Sequence, residues 1–432
     1  MKHWLYGAAL AAASLGTTTS SVAVELNVGC SGIGQEMALC KSAAEQWARK
    51  TGNVVRVYET PPNASNRLSS YRFLLDSKST FLDVIQIDIV WSGMLAPHLL
   101  DLKPYTNGAE KAHFAGVLNN NMVGGRLVAM PWFTDAGLLY YRRDLLEKYK
   151  LPIPATWDDL TATAKKIQDA ERLAGRPRMW GYVWQGRAYE GLTCNALEWI
   201  TAAGGGTVMD SSGSITVNNP QAVKAVQTAA GWIGSISPNT TLRSMEEDAR
   251  TAFQEGNAVF MRNWPYAWSL MQSDASPVKG RVGVAALPHG SGAGARGAST
   301  LGGQQLAIPA YTQHPKEAAE LVLYMTGPEV QKQRALQGSF NPTLTALYQD
   351  PDVRRALPWA AQLSAALADA VARPSTPAGA SYERLSNAFS IAINDVLAGK
   401  IKADESLRQL EAALVRMRYA DNRPEQTASL KP

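Results

Sequence analysis

A chain of 432 residues is longer than one hydrophobic core usually supports, so two domains are expected. Its 46% apolar and 18% charged residues describe an ordinary globular protein. The net charge of +5 is spread without runs of like sign, which excludes the electrostatic footprint of a nucleic-acid binder or of a protein held on an anionic membrane.

Residues 1–23 open with Lys2, run uncharged from Trp4 to about Leu15 and end in Ser21-Val22-Ala23, the pattern of a cleavable secretory signal peptide. The apolar part is too short to span a bilayer comfortably. Glu25 and Asn27 precede Cys30 where a lipidated cysteine needs an apolar approach, so cleavage rather than lipid anchoring is expected. Disulfides persist outside the cytoplasm. A strand ending at Cys30 and a helix covering Cys40 bring those two sulfurs within reach, so they are the expected bridge, and Cys194 is expected as a buried thiol. Only five histidines occur and none is paired with a cysteine at zinc spacing, so no metal is expected.

The mature chain begins with a strand, Leu26 to Gly29, a glycine-containing turn and a helix from Glu36 to Lys50. A second strand runs from Val54 to Tyr58, and after the loop TPPNASN a helix opens at Arg67. Asp83 to Asp88 is a strand rich in β-branched residues, as parallel sheets are. The β-α-β-α order predicts an open α/β domain, whose ligands sit beyond the carboxyl ends of the strands, where Glu36 and Asp88 fall. Leu127 to Phe133 predicts a strand ending or bending at Pro131, and the helical spacing of Leu138 to Tyr149 predicts a helix. Asp135 lies between them, placed to face a cleft at a crossover between two lobes.

Thr156 with Asp159 reads as a capping box opening a helix to about Leu173. A strand follows at Trp180 to Trp184, then helices from Leu192 to Ala203, from Asn219-Pro220 to Gly231 and from Met245 to Gln254. The strand Ala258 to Met261 delivers an aromatic cluster, Asn263 to Trp268. Val282 to Leu287 is a strand, and Leu301 to Pro309 reads as a second crossover. Helices are expected at Lys316 to Met325, Glu329 to Leu336, Ser381 to Leu397 and Asp404 to Met417, before a polar tail.

Two kinds of candidate cleft residue emerge. Aromatic faces at Trp91, Trp132, Phe133, Trp264, Tyr266 and Trp268 suit the apolar C–H face of a pyranose ring. Core packing is the expectation for Trp132 and Trp268, and the cleft for Trp264, which sits between Asn263 and Pro265 at a strand exit. The polar group is Glu36, Arg67, Asp88, Asp135, Glu190 and Arg373, whose carboxylates and guanidinium forks make charge-assisted bonds to hydroxyls. Asp88 and Asp135 resist reading as surface charge because both follow buried apolar strands. A pair of these carboxylates is chemically adequate for glycoside hydrolysis. No GxSxG elbow, HExxH or phosphate-cradling glycine loop is present.

The segments FTDAGLLYYRRDLLEKY from Phe133, GYVWQGRAYEGLTC from Gly181, RNWPYAW from Arg262, SPVKGRVGVAALPH from Ser276, STLGG from Ser299 and ARPSTP from Ala372 resemble periplasmic solute-binding proteins of sugar ABC transporters, nearest to the trehalose/maltose-binding branch. With DVIQIDIVW from Asp83, the likeness covers nearly the whole mature chain. It implies an α/β fold of two lobes, with inter-lobe crossovers near Phe133–Asp135, Leu301–Gln304 and Tyr348, and a C-terminal helical segment. The implied division is residues 24–133 and 304–348 in the N-terminal lobe, 134–303 and 349–420 in the C-terminal lobe, and a disordered tail at 421–432. Carried over, Asp88 and Asp135 would accept sugar hydroxyls, and Glu36 and Arg67 would bond the ring nearer the first lobe. Trp264 and Tyr266 would stack, Gly302 and Gly303 would line the floor, and Arg373 would close the far side. Gln304 stands where relatives commonly have tryptophan, which exchanges a stacking face for an amide and leaves the exact sugar open. The implied protein is a periplasmic monomer without catalytic residues or cofactor. It would deliver an α-glucosyl disaccharide, trehalose before maltose, to an ABC permease. The alternatives are an exported glycoside-active enzyme using the cleft carboxylates and a binding protein that signals to a chemoreceptor.

Overall fold

The computed structural model describes residues 23–421 except 293, 358 and 360–369. The expected signal peptide, apart from Ala23, and the tail beyond residue 421 lie outside the described residues. Two sheets, each with its own apolar core, form the two lobes. The strands that build them are β1 (Glu25–Ser31), β2 (Val54–Thr60), β3 (Val84–Asp88), β4 (Met130–Ala136), β5 (Leu138–Arg142), β6 (Trp180–Val183), β7 (Ala258–Asn263), β8 (Val282–Ala286), β9 (Ser299–Ala307) and β10 (Ala370–Val371).

In the first sheet the order is β10-β9-β3-β1-β2, with β4 also on β9; β1 runs parallel to β2 and β3, whereas β9 runs antiparallel to β3 and β4. Helix α1 (Glu36–Thr51) covers one face with Leu39, Ala43 and Trp47, while Tyr71 and Leu75 of α2 (Ala64–Asp76) close the other. The second sheet has the order β8-β5-β7-β6. Its largest core is built on Trp157, Trp184, Trp199 and Trp232, with Trp184 and Trp199 edge to face at 4.9 Å. Aromatic contacts of this geometry add to plain area burial.

Local signals hold where the chain itself supplies the partner. Thr156 N donates to the Asp159 carboxylate at 3.1 Å and Asp159 N to Thr156 Oγ1 at 3.0 Å, so the capping box opens the helix Trp157–Leu173. The disulfide Cys30–Cys40 ties β1 to α1, and Cys194 is a buried free thiol.

Three expectations are corrected. Leu138–Arg142 is a strand, and helix begins only at Arg143, running to Tyr149 as α3. Pairing with β7 and β8 on both edges overrides the helical spacing of its leucines, because a buried strand satisfies every backbone group there. Asp135 therefore lies inside β4 rather than at a strand–helix break. Pro131 does not end that strand either. The other half of that expectation, a bend, fits: the register against β9 slips so that Gln304 faces Phe133 and Gln305 faces Pro131, leaving Trp132 as the extra residue. Finally, α2 opens at Ala64, where Asn63 accepts from Asn66 N at 3.0 Å, so Arg67 sits one turn inside it.

The lobes are joined where single strands serve both. Through Gly137, β4 of the first sheet becomes β5 of the second, and β9 returns the chain to the first sheet. A helix at Pro351–Ala356 then buries Val353 with Leu138 and Tyr140 of the second lobe. The cleft lies between the sheets, at the carboxyl ends of β1 and β3.

Candidate functional site

Residues from both lobes converge on one cavity. Glu36 is held in the first turn of α1, where its carboxylate accepts from Gln86 Nε2 at 3.0 Å, and Gln86 is itself fixed by Ser31 N at 2.8 Å. Burial pushes the Glu36 carboxyl above its ordinary range, against the pull of Arg334 and Arg67. Asp88 ends β3, and its Oδ1 caps Val90 N at 3.1 Å. Arg67 reaches Pro61 O at 3.0 Å and Gln304 Oε1 at 3.5 Å, with the Trp91 ring 5.5 Å from its guanidinium.

The floor is Gly302 and Gly303 of β9. At Gly302 an added Cβ would stand 2.8 Å from the Trp264 ring, and Gly303 has φ +129° with Phe133 O only 2.5 Å from where a Cβ would be. Glycine is required at both, once for close approach and once also for conformation. Asp135 lies opposite Gly302 and accepts from Asn341 Nδ2 at 3.5 Å. Burial, reinforced by the Glu36 charge, pushes it up to about 8.

The second lobe supplies Trp264, just past β7, and Tyr266, whose hydroxyl donates to Glu247 at 2.7 Å. Arg373 closes the far side with two bonds of 2.7 Å, one to Asp88 from the first lobe and one to Glu190 from the second. Glu190 also accepts from Tyr382 and Ser386. The ten expected contacts, Glu36, Arg67, Asp88, Asp135, Trp264, Tyr266, Gly302, Gly303, Gln304 and Arg373, all line this cavity, together with Glu190 and Phe133. It leaves about 70 Å³ for the centres of water molecules. At roughly 10–15 Å³ per water by that measure, this is room for a handful of waters.

Residues 34–332 match the family described as bacterial extracellular solute-binding protein. The chain belongs to that family. A probable ABC transporter-binding protein of Deinococcus radiodurans is 49% identical over 398 residues, 92% of this chain and 94% of the relative. The maltose-bound structure of T. maritima MalE3 is 37% identical, with a TM-score of 0.86 over 91% of this chain and 100% of that one. The maltodextrin-binding protein MdxE of Bacillus subtilis is 26% identical over 239 residues, 52% of each chain.

In this solute-binding protein, three of the candidate aromatics do not line the cavity. Trp91 is core, edge-on to Tyr71 at 6.3 Å. Trp132 is buried and donates to Met325 O at 3.1 Å, and Trp268 packs on Trp359 at 5.3 Å, both as expected of core residues. Sequence reasoning missed Glu246, Gly191 and Cys194, which also line the cavity. Glu246 accepts from the Tyr189 hydroxyl at 2.6 Å, and burial raises its carboxyl above the usual range. In the sequence it is one of three acidic residues opening a helix, indistinguishable from ordinary first-turn acids. Arg334 was missed as well. It is buried against Trp132, Phe340 and Phe133 at 3.8, 4.3 and 5.1 Å, and burial lowers it to about 10. Among the described residues no group of three His, Cys, Asp or Glu is placed to hold a metal, and no helix is long and apolar enough to cross a membrane.

Proposed function

We propose that this protein is the periplasmic binding subunit of a sugar ABC transporter, capturing an α-glucosyl disaccharide between its lobes and presenting it, as a monomer, to a membrane permease. The observation that carries the reading is the composition of one cavity: an indole face, two glycines that let backbone approach, and carboxylates and guanidinium groups from both lobes. Such a set meets the two faces of a pyranose, apolar C–H on one side and hydroxyls around the rim. The likeness to a maltose-bound protein at 37% identity puts maltose beside trehalose as the first sugars to try. Gln304 offers an amide where an aromatic face would otherwise lie, which favours a ligand with a hydroxyl at that point.

An enzymatic role finds less support. Asp88 and Glu190 share the Arg373 guanidinium and Glu36 is bonded to Gln86, so these three carboxylates are engaged by partners in the protein. Calorimetry of protein stripped of bound sugar, titrated with trehalose, maltose and longer maltodextrins, tests the reading, with glucose release followed in parallel. Absence of heat with every sugar sinks the proposal. Turnover of a bound disaccharide replaces it with the enzyme.

A further inference from the structure

Behind the cavity lies an ion pair that does not line it. Arg262 and Glu198 are both 0% exposed. Arg262 Nε donates to Glu198 Oε2 at 3.0 Å and its Nη2 to Glu198 Oε1, while Nη1 reaches Gln185 Oε1 at 3.4 Å. Buried pairs of this kind contribute little net stability against apolar residues of the same volume, so their use calls for another reason.

Three contacts supply one. The guanidinium carbon lies over the Trp264 ring, 3.9 Å from its centroid, at cation–π distance. Glu198 Oε1 accepts Thr300 N at 3.1 Å, which fixes the strand that carries Gly302 two residues on. A Cβ on Gly302 would be 2.8 Å from the Trp264 ring, so Arg262 and Gly302 confine the indole between them. The turn that links the sheets is built around the same pair, because a Cβ at Gly137 would stand 2.3 Å from Glu198 Oε1 and 2.7 Å from Arg262 Nη2. Tyr140, on β5, donates to Trp264 O at 2.8 Å and completes the support.

We infer that Arg262, anchored by Glu198, is the positioning residue of the stacking face: it holds the Trp264 ring against the Gly302 floor, and so fixes where a ligand ring can stack. This rests on the reading of the cavity as a disaccharide site. The side chain acts through Trp264 and touches no ligand.

The test compares Arg262→Lys, Trp264→Ala and the double variant. Lysine keeps a charge for Glu198 but loses the planar guanidinium. Arg262→Lys should weaken maltose and trehalose binding by about fivefold or more, judged from the strength of a desolvated cation–π contact. In the Trp264→Ala background the same change should cost less than about twofold, since the residue it acts through is gone. An equal loss in both backgrounds, or none in either, overturns the inference. If Arg262→Lys does not fold, Glu198→Gln carries the same comparison, as it weakens the anchor while leaving an acceptor. A ligand-free readout separates this idea from the sugar reading. The near-ultraviolet circular dichroism of Trp264, taken as the parent minus Trp264→Ala, should change when Arg262 is lysine. An unchanged band rejects the positioning role even if no sugar ever binds.

Discussion

Arg373→Met offers a direct test of how the closed cleft is held. Arg373 is 4% exposed and bridges carboxylates that come from different lobes, Asp88 from β3 and Glu190 from the helix Glu190–Ala202, each at 2.7 Å. Methionine keeps the length and removes the charge, leaving two buried carboxylates without their cation. Removing one partner of a buried pair typically costs about 3–5 kcal/mol. The lower end applies here because Asp88 keeps the Val90 N–H and Glu190 keeps the Tyr382 and Ser386 hydroxyls. Opening the lobes rehydrates both carboxylates, so the penalty falls on the closed state alone. A cost of ~3 kcal/mol on closure weakens ligand binding by about a hundredfold. Calorimetry with maltose and trehalose reads the affinity. Small-angle scattering reads the lobes: the parent should compact with saturating sugar, and the ligand-free variant should be at least as expanded as the ligand-free parent. A variant that binds within threefold of the parent, with the same scattering in both states, would show that the Asp88–Arg373–Glu190 bridge does not hold the lobes together.

Asp135→Asn makes a pH-dependent prediction. The folded protein holds the Asp135 proton up to about pH 8, while an ordinary aspartate loses it near 3.8. Between those values folding takes up a proton, so this residue's contribution to stability is whole below about pH 4 and is lost as pH rises through 8, with a limiting slope of about 1.4 kcal/mol per unit. The variant should melt near the parent at pH 4–5 and above it at pH 8–9; parallel melting curves across that range would remove the buried titration. The disulfide yields a simpler count. One free thiol should be found under denaturing, non-reducing conditions, and reduction should cost ~2–3 kcal/mol by loop entropy. Three thiols would refute the bridge.

Much of the architecture is written locally. The β-branched run at Val84–Asp88, the capping box at Thr156 and the proline starts of the helices Pro315–Met325 and Pro328–Gly338 specify their elements through contacts within a few residues. The candidate contacts from Glu36 to Arg373 were legible for a different reason: they are carried over from a resemblance to a family, whereas residue spacing alone singled out mainly Asp88, Asp135 and Trp264. What the chain could not show on its own depends on partners far away in sequence. Leu138–Arg142 becomes a strand because β7 and β8 flank it, although its own spacing favours a helix. Asp135 holds its proton because folding buries it beside Glu36, a residue about a hundred positions earlier. Arg262 looks like any basic residue on a strand until the fold sets Glu198 against one side of it and the Trp264 ring against the other. Local sequence chooses backbone conformation, because neighbours along the chain set its sterics and caps. Charge state and side-chain position are decided by burial and by whichever charges or rings pack alongside, and those are properties only of the assembled lobes.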